Sequence, residues 1–209
     1  MNFLIGQKFI KQKEFGKALK IFQELEKKDK DTRIDFYLGL INFELNNFSK
    51  SVSYYNKYLE KEKNSIPALL NLAIVMQTMG KFKDAKAIYT KLLNLNNFDV
   101  RPYYGLFNLN SKNLTTNLFE NLNNIKNKKN LNLYEEGIIN FLLSKNEKKK
   151  KNFDKEIEFL KKGHEYFCKS INSKDFKQNL DYWLNIIPSK FNKIKYFENK
   201  KNKENINEI

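Results

Sequence analysis

His164 and Cys168 are the only histidine and the only cysteine of the chain, and their spacing of four places them one helical turn apart on a shared face. Imidazole and thiolate are the two side chains that most readily hold zinc or form a nucleophile and base pair. Two ligands do not close a tetrahedral site, however, so packing residues on a helix are the favoured account of this pair, and no metal or cofactor is expected. Glu135 and Glu136 are adjacent. Neighbours on a helix point apart, so they do not form an acid and base dyad. Four consecutive lysines, Lys148 to Lys151, have the charge of an anion site. Without interleaved Arg or aromatic residues the run reads first as a solvated surface. The seven glycines build neither a phosphate-cradling loop nor a dinucleotide turn. The chain is expected to be noncatalytic.

The elements that would position these residues are helical. With seven Gly, three Pro and 41% apolar residues, the sequence lacks the turn density and strict alternation of an all-β chain. From Ser65 to Leu95 it spells a helical hairpin. Leu69, Leu72, Ala73 and Met76 share one face of a first helix opened by Pro67, and Gly80 ends that helix. A second helix beginning at Phe82 repeats the spacing with Ala85, Ile88, Tyr89 and Leu92.

That hairpin recurs. A step of 34 residues back carries Phe82, Ala85, Tyr89 and Leu92 onto Phe48, Ser51, Tyr55 and Tyr58. A further step of 33 lands on Phe15, Ala18, Phe22 and Leu25. The small residue of the first helix recurs as Gly6, Gly39 and Ala73. Period, small slot and the Phe-x-x-Ala-x-x-x-aromatic-x-x-Leu run together resemble the tetratricopeptide repeat (TPR) family. The resemblance implies an all-α, right-handed α-solenoid of about five hairpins whose first helices line a concave face. The repeats are expected near 1–31, 32–65, 66–98, 99–129 and 131–169, the fourth degenerate in its second helix. A capping helix is expected at 174–187, and a Lys- and Asn-rich tail, disordered or a linker, at 190–209.

Residues 131–189 carry a narrower resemblance. Tyr134-Glu135-Glu136-Gly137, Phe159-Leu160-Lys161-Lys162-Gly163-His164, Tyr182-Trp183 and Pro188 look like the segment joining repeats to the catalytic domain in bacterial TPR-containing sulfotransferases. The phosphosulfate-binding motif of that family does not occur here, so this resemblance implies a family context without its chemistry.

If first helices line the concave face, its inward side carries Phe3, Gln7 and Ile10, then Phe36, Leu40 and Phe43, then Leu70, Ile74 and Gln77, then Tyr104 and Asn108. This apolar, aromatic strip fits a protein or peptide partner or an adjoining catalytic domain, and equally fits packing inside the repeat core. Arg101 and Asn71 are polar exceptions on these helices.

The net charge of +15 raises a second possibility, a basic helical repeat binding nucleic acid. All but Arg33 and Arg101 of the 39 basic residues are Lys, whereas bidentate recognition of phosphates and bases favours Arg. Solvated surface therefore stands ahead of it. A single thiol, no secretory signal and no apolar run of membrane-spanning length suit a cytoplasmic protein.

Overall fold

A computed structural model describes residues 2–127 and 130–170. The expected cap and tail lie outside the described residues. Among those residues ten α-helices and one short 3-10 turn occur and no strand does: α1 (Asn2–Lys11), α2 (Phe15–Lys28), α3 (Thr32–Glu44), α4 (Phe48–Lys61), α5 (Ile66–Thr78), α6 (Phe82–Leu95), α7 (Val100–Leu109), α8 (Thr116–Lys126), α9 (Leu133–Lys149) and α10 (Phe153–Ser170). α1 pairs with α2, α3 with α4, α5 with α6 and α9 with α10 as hairpins, while α7 packs on α6, the 3-10 turn and α9, and α8 packs on α9, so that the units stack as an α-solenoid.

Four of the five hairpin turns are built alike. Lys13, Asn46, Gly80 and Lys151 all adopt left-handed φ, between 59° and 73°. In each turn the following N–H reaches back five residues, as in Lys81 N to Met76 O and Asn47 N to Asn42 O, at 2.9 and 2.8 Å. This pattern satisfies the last carbonyls of the first helix and reverses the chain. The fourth hairpin lacks it. There the chain passes through the 3-10 turn Ser111–Asn113 and extended Leu114 before α8 begins. Leu114 is nonetheless buried, so the apolar face read from the sequence survives although its helix starts later.

Helix starts repeat as well. Asp31 accepts a hydrogen bond from Arg33 N at the head of α3, and Asp99 does the same for Arg101 N at the head of α7. In the intervening hairpin Ser65 and Pro67 hold the same two slots. Asn132 and Glu135 form a reciprocal capping box at α9, each backbone N–H donating to the other's side chain at 3.0 Å. One member of the adjacent carboxylate pair is thereby a helix cap.

Aromatic residues of second helices fill the small slots of first helices. A Cβ placed on Gly39 would come within 2.9 Å of the Tyr55 ring, so only glycine admits that ring at this spacing. The core is continuous from α5 to α9, with Tyr89, Tyr103, Leu122 and Ile139 among its buried members. Lys148 and Lys149 end α9, and Lys150 and Lys151 form the turn that follows. Lys150 pairs with Glu147 at 2.9 Å, and Lys149 sits over the Phe119 ring and donates to Ser111 O.

Candidate partner-binding groove

The first helices present two adjoining depressions divided by Ile74, whose side chain is 39% exposed. The larger has a volume of about 550 Å³. Leu70, Ile74 and Gln77 of α5 and Tyr104 and Asn108 of α7 line it, as the repeat phase placed them. Its rim adds residues that the inward-face pattern missed: Thr78, Phe82, Arg101 and Tyr134. The smaller depression, about 220 Å³, lies against Leu40, Phe43, Tyr55 and Asn71.

Phe82 and Tyr134 are more than half exposed, although the sequence pattern gave Phe82 a repeat slot and Tyr134 no role on the concave side. Tyr134 reaches the cleft from α9, a hairpin away from α7. The signal that could have found it is the stacking of repeats, which brings successive first helices to one concavity.

Hydrogen bonds fix the polar groups of the floor. Tyr89 OH donates to Gln77 Oε1 at 3.1 Å, and Asn71 Nδ2 donates to Tyr55 OH at 3.1 Å. Burial pushes the Tyr89 phenol up to about 12 and raises that of Tyr55 as well, so both rings stay neutral. Gln77 Nε2 and Asn71 Oδ1 take no part in these two bonds. Arg101 is held in place by Asp99, which accepts from Nε at 2.9 Å and Nη2 at 2.6 Å. These charge-assisted bonds raise the guanidinium pKa above its ordinary value.

The N-terminal part of the expected face is packed. Phe3 meets Phe22 and Tyr37 edge-on at 5.3 and 5.4 Å, and Gln7 Nε2 donates to Tyr37 OH. Phe36 is surrounded by Tyr37, Tyr55 and Tyr58 at 5.5 to 5.9 Å. Phe3, Gln7 and Phe36 line neither depression. Ile10 is half-buried against the first core cluster.

His164 is exposed and Cys168 half-buried on α10. Among the described residues no group of three His, Cys, Asp or Glu side chains is arranged to hold a metal. No described helix is long and apolar enough to cross a membrane.

The architecture is an all-helical solenoid of hairpins like those of tetratricopeptide repeats. Residues 67–96, essentially α5 and α6, match the tetratricopeptide repeat family model. A TPR repeat-containing protein of Methanocaldococcus jannaschii is 38% identical over 61 residues, 29% of this chain. The match spans only 18% of that relative's length. Among solved structures, MamA of Desulfovibrio magneticus is similar with a TM-score of 0.60 at 17% identity, covering 82% of this chain and 96% of that one. A tetratricopeptide repeat protein of Parabacteroides merdae is similar with a TM-score of 0.57 at 18% identity, covering 86% and 68%. The pilF protein of Pseudomonas aeruginosa gives 0.57 at 15%, covering 74% and 70%. At these identities the structural likeness is one of fold.

Proposed function

We propose that the chain is a noncatalytic scaffold that holds a protein partner, or an adjoining catalytic domain, in the groove along α3, α5 and α7. One observation carries this reading: two apolar depressions meet at a half-exposed Ile74 and are edged by polar groups already fixed in place by Tyr55, Tyr89 and Asp99. Pre-organised side chains lose little freedom on binding, so apolar burial is converted efficiently into affinity. Leu40, Phe43, Leu70, Ile74, Tyr104 and Asn108 carry the contact, with Arg101 and Tyr134 at its edge. Phe3, Gln7 and Phe36 support the fold beside it. The single thiol suits a reducing, cytoplasmic setting. Within α9 and α10, Gly137 lies beneath the Phe167 ring and Tyr134 meets the same ring edge-on at 5.9 Å.

Selection of displayed random peptides on the immobilised protein tests the reading. Peptides whose binding is lost in Ile74→Asp and in Tyr104→Ala, with helicity unchanged, support it. Selected peptides that bind both variants as well as the parent would sink the groove assignment, as would a selection that yields no binders. A labelled random-sequence oligonucleotide at low salt separates the alternative, because electrostatic affinity is greatest there.

A further inference from the structure

α10 ends the described stack with one side that no described helix covers. Counted from the left-handed residue of each turn, Ile157 of α10 stands where Leu19 stands in α2 and Val52 in α4, and His164 where Glu26 and Leu59 stand. In those earlier helices this side meets the next first helix. Leu19 joins the core cluster of Ile34, Leu38 and Ile41 from α3, and Val52 and Leu59 join that of Ala68, Leu72 and Val75 from α5. On α10 the stripe runs through Ile157, Leu160, His164 and Cys168, each about one turn from the last. Ile157 is 50% exposed.

The sequence after Ser170 has the marks of the first helix that this side lacks. Connectors of three or four residues, 29–31, 62–65 and 96–99, join second helices to first helices earlier in the chain. Five residues, 171–175, stand between Ser170 and Phe176. Asp175 precedes Lys177 by two, as Asp31 precedes Arg33 and Asp99 precedes Arg101 at the heads of α3 and α7, where the aspartate is the cap. Phe176, Leu180, Trp183, Leu184 and Ile187 recur at the spacing of one helix face, and Lys177, Gln178, Asp181 and Asn185 fall on the other.

We propose that residues 176–187, which lie outside the described residues, dock as a helix along the α10 stripe and take the place of a further first helix. An antiparallel return through such a connector pairs positions equally far from its centre, so Trp183 comes level with His164 and Ile187 with Leu160. A tether of five residues spans up to about 17 Å, more than the roughly 8–10 Å between packed helix axes. It also holds the segment at an effective concentration in the millimolar range, which sets it ahead of a second copy of the chain. The polar residues of its outer face then meet solvent, as a terminal cap requires.

Trp183 is the only tryptophan of the chain, so its fluorescence in the whole protein reports on this segment alone. The expected emission, at nanomolar protein, lies to the blue of a free tryptophan amide and resists quenching by acrylamide. It moves to the red and becomes quenchable in Ile157→Asp/His164→Asp, at two exposed positions of α10. The same shift is expected in Leu180→Asp/Leu184→Asp, which leaves every described residue unchanged. Emission stays blue in Ile74→Asp, so the outcome does not depend on the groove. Parent emission like that of the free amide overturns the proposal, as does emission that either double variant leaves unmoved. A red shift in Ile74→Asp also overturns it and assigns the segment to the groove. Blue emission that appears only as protein concentration rises overturns it in favour of a second copy on the stripe.

Discussion

Gly105 of α7 lies flat against the phenol ring of Tyr89 from the preceding hairpin, so close that any Cβ at position 105 would overlap several ring carbons. Tyr89 is 2% exposed and cannot retreat, because its hydroxyl is anchored to Gln77 on the groove floor. Gly105→Ala should therefore destabilise the fold by about 1–3 kcal/mol, the ordinary cost of overpacking a filled core. Gly16, whose Cβ would meet nothing within 4 Å, is the control. Gly16→Ala in α2 should gain up to about 1 kcal/mol from helix propensity. Urea unfolding of the two variants checks the contrast, and equal midpoints would show that Tyr89 yields.

Asp99 both caps α7 and orients Arg101, and its side chain is only 9% exposed. Asp99→Ala should cost about 0.5–2 kcal/mol through the lost cap. It should also free the guanidinium at the groove edge. If the groove reading holds, peptides selected on the parent will bind this variant more weakly than its stability loss alone explains. Asp99→Asn keeps the cap oxygen while removing the ionic pair, and thereby separates the two contributions.

Much of this fold is legible in the sequence for a physical reason that also marks where legibility ends. The 33- and 34-residue steps hold through the first three hairpins because each turn needs a left-handed residue and each ring needs a small partner, and both demands leave letters behind, such as Asn46, Gly80 and Gly39. The groove leaves fewer. α5 is apolar almost all round, with Ala68, Leu69, Leu70, Leu72, Ala73 and Val75 all buried, so periodicity cannot separate the side facing a ligand from the side facing α6. Phe3 and Phe36 share the inward register yet are absorbed by neighbouring rings. Tyr134 enters the site from α9, a hairpin further on, whereas Arg101 shares the α7 face of Tyr104 and Asn108. The start of α8 was hidden because Ser111 to Thr115 carries no left-handed turn residue, while Lys148 and Lys149 stay helical because the turn waits for Lys151.

Two of the four left-handed turn positions are occupied by lysine, Lys13 at φ 59° and Lys151 at φ 60°. A side chain with a Cβ costs roughly 1–2 kcal/mol there. Glycine removes that strain but gains freedom in the unfolded chain. The net expectation for Lys13→Gly and Lys151→Gly is a stabilisation of about 0.5–1 kcal/mol each. Because the two turns lie far apart, the double variant should be additive within about 0.5 kcal/mol. The thermal midpoint measured for both singles and the double checks this, and a lowered midpoint in Lys13→Gly would show that its side chain does more for the turn than its backbone costs.

The buried phenols set an alkaline limit on stability. Tyr89 is held neutral up to about 12 in the fold, against an ordinary 10.0 in an unfolded chain, and burial shifts Tyr55 and Tyr103 in the same direction. As pH rises past about 10 the unfolded chain sheds protons that the folded chain keeps, so stability is intact below that pH and falls between about 10 and 12. The limiting slope is roughly 1.4 kcal/mol per pH unit for each phenol so held. Lys57 adds in the same sense, since its hydrogen bond to Asp35 raises it above the ordinary lysine value, although half-exposure keeps that contribution small. Tyr89→Phe removes one titrating group at the cost of the Gln77 hydrogen bond, about 0.5–1.5 kcal/mol. The variant should thus be less stable than the parent at neutral pH and lose stability less steeply above about pH 10. Urea midpoints across that range, read beside phenolate absorbance, test the argument, and parallel pH profiles for parent and variant would refute the assignment of the slope to Tyr89.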